Sequence, residues 1–251
     1  MLESERQLRE KLASLLPRNK KIPSDRKKPV EGLGLARRSF VSGYHSALSA
    51  GKDEIPLLFQ NAGPHEVGFM LEGAGMALAI LDEMNDADQR YLPILFTGRP
   101  EWELKLCAIG VGWASSRLSK PLHWKPEGIS NKWIPAISNG YGFHEGLFNP
   151  ERYQEASFFE VEEDYRQDFH IGIGRALWFV HDGQIEPIAK FMNRLEPSKQ
   201  SHIWTGIGIA CVFNRDHEKK PILTKISSPN ESYLIAGFEK AAKLKQELSS
   251  S

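Results

Sequence analysis

Apolar residues recur at helical spacing along the chain, beginning with its first residues. Four leucines share one face of a first predicted helix: Leu8, Leu12, Leu15 and Leu16. Pro17 ends that helix, and residues 18–28 (RNKKIPSDRKK) follow as a basic linker. The sequence therefore predicts an N-terminal helix and linker over residues 1–29 and a single domain over residues 30–251.

Later segments repeat the helical pattern. Residues 70–84 carry apolar positions at helical spacing, and residues 185–195 predict a further helix that ends near Pro197. The best strand candidate is residues 91–97 (YLPILFT), and its internal Pro93 argues against a central strand. The expected fold class is therefore all-α.

Apolar blocks that begin with glycine recur about every 32 residues. The block glycines are Gly43, Gly75, Gly112, Gly142, Gly174, Gly208 and Gly237. In five of the seven blocks another glycine lies two places upstream, as Gly73 precedes Gly75. A period of about 30–35 residues is typical of stacked helical hairpins. The sequence therefore predicts a TPR-like array or α-solenoid.

The paired glycines need an explanation, since glycine inside a helix costs about 1 kcal/mol relative to alanine. Close packing is one interpretation, because a missing Cβ lets a neighbouring helix approach. The other is that the glycines leave space for a ligand or a large side chain. A dinucleotide site is not indicated, because the third glycine of GxGxxG and the preceding strand are missing.

Comparison of equivalent positions across the blocks identifies polar exceptions. Two places after the block glycine most residues are small, but His45 and His144 stand there in two blocks. One place after it, Arg175 interrupts an apolar row, and three places before it Glu72 is the only charged residue. If equivalent helices line one wall of a solenoid, these residues and Glu145 are expected to converge on a concave face.

The candidate catalytic residues are Glu72, His144, Glu145 and Arg175. A buried Glu or Arg is tolerated only when paired, so Arg175 with either glutamate is a candidate ion pair. A purely structural role is one interpretation. In the other, an apolar pocket raises the pKa of a carboxyl group and makes it a general acid. The candidate substrate-binding residues are Tyr44, His45, Trp113, Phe143 and Trp178.

Composition narrows the classes of function. With 32 basic and 32 acidic residues, the chain lacks the basic excess of a general nucleic-acid binder. The histidines show no i, i+4 pair and no Gly-x-Ser-x-Gly occurs, so neither a metal, a cofactor nor a hydrolase triad is predicted. Two cysteines in apolar runs, the absence of a secretion signal and the absence of a transmembrane segment favour a cytoplasmic protein.

Five segments together resemble a known family. They are residues 68–82 (GFMLEGAGMALAILD), 109–118 (IGVGWASSRL), 139–148 (NGYGFHEGLF), 171–180 (IGIGRALWFV) and 201–212 (SHIWTGIGIACV). The chain is similar over roughly residues 30–245 to the domain-of-unknown-function family 1702. Its members are often encoded beside bacterial enediyne polyketide synthases, so the resemblance implies work on or near a long apolar polyene chain. It implies no catalytic residues.

Three functions follow as hypotheses. The first is an enzyme or accessory enzyme of specialised-metabolite biosynthesis, which holds a polyene or isoprenoid chain in a helical cavity and promotes acid/base cyclisation or rearrangement. The second is a helical-repeat scaffold or chaperone that binds a synthase or carrier-protein domain without chemistry. The third is a passive carrier of an apolar intermediate. A closed, aromatic-lined pocket favours small-molecule work, and an open concave face favours the scaffold.

Overall fold

A computed structural model describes most of the chain and shows it to be helical. The described residues are 3–15, 31–85, 90–149, 161–195, 197–213, 222–223, 226 and 228–249. Their secondary structure is helical, with no strand in these ranges. The predicted all-α class is therefore confirmed. The basic linker and the predicted boundary at residue 29 lie outside these ranges.

Ten α-helices lie in the described residues. They are α1 (Glu3–Leu15), α2 (Glu31–Ser49), α3 (Val67–Met84), α4 (Leu92–Leu95), α5 (Glu101–Arg117), α6 (Ile134–Phe148), α7 (Glu163–Val180), α8 (Ile185–Met192), α9 (Pro197–Phe213) and α10 (Ser228–Ser249). Short 3-10 helices cover Ile55–Leu57 and Asn131–Trp133.

The best strand candidate forms the short helix α4. Pro93 lies in its first turn, where a helix needs no backbone N–H from it. The Asp82 carboxylate accepts hydrogen bonds from the backbone N–H groups of Tyr91 and Leu92, both at 2.8 Å. These bonds satisfy donors that a helix start leaves unpaired, so a distant side chain fixes the start of α4.

The described residues belong to two compact units. Those within Met1–Pro23 and Leu35–Ile137 form unit one, and those within Ser24–Gly34 and Ser138–Ser251 form unit two. Helix α1 belongs to unit one, where the Tyr44 hydroxyl donates a hydrogen bond to the Leu12 carbonyl oxygen at 3.1 Å. The first helix is thus packed into unit one.

Paired glycines bring long helices into backbone contact. A Cβ on Gly75 of α3 would overlap the Cys107 carbonyl oxygen, and one on Gly110 of α5 would overlap the Glu72 carbonyl oxygen. Each glycine thus meets the carbonyl three residues before its partner glycine. Such contacts allow Cα–H···O interactions between helices. Gly73 makes the corresponding contact with α2, so Gly73 and Gly75 face different neighbours.

The same reciprocal contact recurs in both units. It joins Gly43 of α2 to Gly73 of α3, Gly142 of α6 to Gly172 of α7, Gly174 of α7 to Gly206 of α9, and Gly208 of α9 to Gly237 of α10. In every case the added Cβ would overlap a backbone oxygen. Close packing is therefore confirmed as the role of these glycines.

Two of these helix pairs run in parallel. Near the start of α3 and α5 a Cβ on Gly68 would lie 3.4 Å from the side chain of Leu106, and near their ends Glu83 pairs with Lys120.

In α9 and α10, Asn230 donates to Gln200 at 3.1 Å, and Lys245 donates to the Val212 carbonyl oxygen. In both pairs, residues near the N-terminus of one helix contact residues near the N-terminus of the other, and the same holds for the C-termini. The two helices of each such pair are therefore not the antiparallel arms of a hairpin, and hairpins as the repeated element are not confirmed.

Candidate functional site

All nine candidate site residues are buried, with at most 8% of any of them exposed. Unit one contains Tyr44, His45, Glu72 and Trp113, and unit two contains Phe143, His144, Glu145, Arg175 and Trp178. The sequence therefore located buried polar groups on glycine-rich helices. Convergence of both sets on one face stays a prediction.

In unit one the candidate binding residues take part in packing. The Tyr44 ring is fully buried, and burial raises the pKa of its hydroxyl to about 12. The His45 ring lies edge-on to it at a centroid distance of 5.8 Å. Trp113 lies against Phe40 with ring centroids 4.6 Å apart. The contact of Phe40 with Trp113 joins α2 to α5.

In unit two, Arg175 of α7 contacts two residues of α6. Its Nη1 donates a hydrogen bond to Asn139 Oδ1 at 2.7 Å, and its guanidinium carbon lies 4.9 Å from the centre of the Phe143 ring. The Phe143 ring in turn meets Phe179 edge-on at 5.4 Å. An amide and an aromatic face thus fix the position of a buried cation. Its predicted ion pair with Glu72 or Glu145 stays a prediction.

His144 and Glu145 lie near the carboxyl end of α6. Glu145 accepts a hydrogen bond from Asn149 at 3.1 Å. The His144 ring lies 4.7 Å from the ring of Phe148, which is 51% exposed. The exposed Phe148 ring therefore contacts the buried imidazole of His144, and the next residue, Glu145, carries a buried carboxyl group. We name His144, Glu145, Phe148 and Asn149 the α6 cluster.

A groove of about 980 Å³ in unit one was not predicted from the sequence. Its lining comes from α2, from the following connection and from the start of α3: Arg38, Ser39, Ser42, Ser46, Ser49, Ala50, Glu54, Leu57, Leu58, Phe59, Gln60, Asn61, Ala62, Gly63, Glu66 and Met70. One signal was available, because the four serines follow one another at intervals of three and four residues. That spacing places polar groups on one helical face.

The far wall of the groove is fixed by Arg99. Its Nη2 donates to the carbonyl oxygens of Ile55 at 3.1 Å and Leu58 at 3.2 Å, and its Nη1 lies 2.6 Å from the Glu103 carboxylate. The backbone at Phe59 has φ +72°, a conformation rare for a bulky side chain. Such strain costs about 1–3 kcal/mol and persists only where neighbours enforce it.

His170 on α7 is a buried histidine that the sequence did not identify as a candidate. Burial, together with the nearby charges of His202, Arg166 and Lys199, lowers its pKa from 6.5 to about 4. Only 1% of the residue is exposed. The imidazole is therefore neutral near pH 7.

This burial predicts a loss of stability in acid. Between pH 6.5 and about 4 the unfolded chain binds a proton at His170 and the folded chain does not, so unfolding becomes easier as the pH falls. The full effect is about 3 kcal/mol. Urea unfolding at pH 7 and pH 4.5 measures it. His170→Phe is expected to lose less stability on acidification than the parent chain, whereas the exposed His123→Phe is expected to follow the parent. Equal losses in the parent and His170→Phe would contradict the prediction.

The described residues hold no cluster of three potential metal ligands. Burial raises the pKa of the Cys107 thiol to about 12, so it stays protonated at neutral pH. Within the same residues, none of the helices combines the length and the apolar character needed to cross a bilayer.

Comparison with known proteins identifies a family and no characterised relative. The model of the family described as "Protein of unknown function (DUF1702)" matches residues 6–248. Neither a curated protein nor a solved structure matches the chain significantly.

Proposed function

We propose a function for this chain, which belongs to the DUF1702 family, from the buried groups of unit two. The protein acts in specialised-metabolite biosynthesis of the enediyne or polyene type, in the cytoplasm. It holds a long apolar polyene or isoprenoid chain and promotes its cyclisation or rearrangement by proton transfer. The α6 cluster supplies the acid and base.

One observation carries this proposal: a buried imidazole and carboxyl group lie beside an exposed aromatic side chain. His144 and Glu145 are 5% and 7% exposed, respectively, whereas Phe148 is 51% exposed. Taking a charged group out of water costs several kcal/mol unless it is compensated. An apolar chain that lies on Phe148 would be one side chain away from the His144 imidazole.

The proposed chemistry is a net isomerisation. Glu145 or His144 gives a proton to one carbon of a double bond, and a cation forms at its neighbour. A new carbon–carbon bond or a shifted double bond follows, and loss of a proton from another carbon to the same pair restores neutrality. Arg175 is the positioning residue, since its contacts with Asn139 and Phe143 hold α7 against α6. No oxidant or reductant is needed.

We also propose that the long helices form a helical-repeat array. Its support is the reciprocal glycine contact, which recurs in two helix pairs of unit one and three of unit two. In each pair the same backbone atoms meet, so neighbouring helices share one mode of packing.

Binding of an apolar chain is tested with cis-parinaric acid, a conjugated tetraene whose fluorescence rises in apolar surroundings. The chain is expected to bind it, and Phe148→Ser is expected to weaken binding at least about tenfold. Tyr233→Ser removes another exposed aromatic residue, on α10, and is the matched control. Absent binding, or equal binding by Phe148→Ser and the parent, overturns the proposed site.

Proton transfer is tested in D₂O with the same probe. Reversible protonation of the probe in D₂O places deuterium on its carbon atoms, which mass spectrometry detects. We expect Glu145→Gln to lower the rate of incorporation by ~10²–10⁴-fold, the usual contribution of general acid–base catalysis. Glu127→Gln, on a carboxylate that is 83% exposed, is expected to leave it unchanged. Incorporation no faster than without protein, or unaffected by Glu145→Gln, overturns the acid–base role.

A further inference from the structure

We propose that the groove of unit one is a binding site for an uncharged amphiphile, a hydrocarbon chain that carries several hydroxyl or carbonyl groups. This site shares no residue with the α6 cluster, and the inference does not depend on the chemistry proposed there. The argument rests on a hydroxyl wall, an unpartnered hydroxyl group, an apolar wall and the charge of the lining.

The hydroxyl wall is one face of α2. Ser39, Ser42, Ser46 and Ser49 all line the groove. In an α-helix their intervals place successive serines roughly 4.5–6 Å apart along the axis. Each hydroxyl group can both donate and accept a hydrogen bond. This wall therefore suits a ligand whose oxygen atoms follow one another at about that distance.

Ser39 provides an independent sign of a ligand. Only 4% of the residue is exposed, and its Oγ has no hydrogen-bond partner among the described residues. Ser49, on the same face, donates to the His45 carbonyl oxygen at 2.9 Å. A buried hydroxyl group left without a partner costs about 1–3 kcal/mol. An oxygen atom of a ligand in the groove would supply the missing bond.

The apolar wall is formed by the connection after α2. Leu57, which is 59% exposed, Leu58 and Phe59 line the groove there. Arg99 fixes this wall by hydrogen bonds to the carbonyl oxygens of Ile55 and Leu58. The strained backbone at Phe59 is thus maintained by its surroundings, as at many ligand sites. A ligand here meets hydroxyl groups from α2 and both apolar and amide side chains from this connection.

The charge of the lining disfavours an anionic ligand. Arg38 is the cation of the lining, and Glu54 and Glu66 are its acids, so the formal charge of the lining is negative. Glu54 also accepts a hydrogen bond from the Gly51 N–H at 2.7 Å, which holds its carboxylate at the groove. A carboxylate or phosphate on the ligand would meet like charge. The preferred ligand is therefore uncharged.

Calorimetric titration with three probes tests the class of ligand. Glycerol monolaurate, an uncharged chain with hydroxyl groups, is expected to bind below its micelle concentration. Sodium laurate, with the same chain and a carboxylate, is expected to bind at least about fivefold more weakly. Maltohexaose has hydroxyl groups without a hydrocarbon chain and is expected not to bind. Binding of maltohexaose but not of monolaurate, or laurate binding as tightly, overturns the proposal.

Three variants test the place of binding. Ser39→Ala is expected to weaken monolaurate binding about two- to tenfold, the worth of one neutral hydrogen bond, without destabilising the free protein. Ser42→Phe fills the groove from an exposed position, Leu57→Asp charges its apolar wall, and both are expected to abolish binding. Ser14→Ala on α1 lies outside the lining and is the control. Unchanged binding in Ser42→Phe and Leu57→Asp, with circular dichroism showing both folded, overturns the site.

Discussion

Gly75→Ala is expected to destabilise the protein by at least about 3 kcal/mol, at the upper end of overpacking effects in protein cores. Its Cβ would overlap the Cys107 carbonyl oxygen of α5, and a backbone atom cannot rotate away as a flexible side chain can. The two helices must therefore separate, which loses contacts along their whole length. Urea unfolding followed by circular dichroism measures the loss, and absence of folded protein on expression is its extreme form.

Gly68→Ala is the matched control on the same helix. Its Cβ would lie 3.4 Å from a methyl group of Leu106, an ordinary contact. Because alanine is the better helix former, this variant is expected to be as stable as the parent or slightly more stable. Gly110→Ala is expected to resemble Gly75→Ala, and the double variant to lose less than the sum, since the first methyl group already separates the helices. Equal stability of Gly75→Ala and Gly68→Ala would contradict the packing role.

Arg9→Met is expected to destabilise the protein by about 3–5 kcal/mol, the usual result of removing one partner of a buried ion pair. Arg9 lies 2.8 Å from Glu5, and both side chains are almost fully buried. Its Nη1 also donates to the carbonyl oxygens of Leu48 at 2.6 Å and Ala50 at 3.2 Å, at the end of α2. Methionine would fill much of the volume and leave the Glu5 carboxylate and both carbonyl groups without this donor.

Neutralising Glu5 is expected to restore part of the stability that Arg9→Met loses. Burial by itself raises the pKa of Glu5, but hydrogen bonds from Tyr91 and Arg9 outweigh it and lower the pKa below its ordinary value. Adding Glu5→Gln to Arg9→Met removes the uncompensated charge, so the double variant is expected to be more stable than Arg9→Met alone. Arg6→Ala breaks the exposed pair with Glu10 on the same helix and is expected to change stability by less than about 0.5 kcal/mol. A loss in Arg6→Ala as large as in Arg9→Met would contradict this account.

The helices were predictable because their signals are local. The leucine spacing of α1 and the long apolar run of α3 lie within single elements. The direction of neighbouring helices was not predictable, because a period of about 32 residues is the same for parallel and antiparallel arrangements. The segment of helix α4 was instead the best strand candidate, because Asp82, which fixes the start of the helix, lies outside the segment.

The candidate site was predictable as a set of buried polar residues but not as a geometry. A charged residue in an otherwise apolar row, such as Arg175, is visible in the sequence. Its contacts with Asn139 and Phe143 depend on how α7 is placed against α6. The groove was missed because its far wall depends on the backbone conformation of Phe59 and on hydrogen bonds from Arg99, neither of which has a periodic signal.

The glycine pairs have a genetic consequence. Each single-nucleotide change in a glycine codon that alters the amino acid introduces a Cβ, and at Gly73 or Gly75 any Cβ overlaps a backbone oxygen of a neighbouring helix. The genetic code therefore offers no mild replacement at these positions, unlike a leucine codon, which can change to one for methionine or valine. Every such amino-acid change at Gly73 or Gly75 is therefore expected to force two long helices apart.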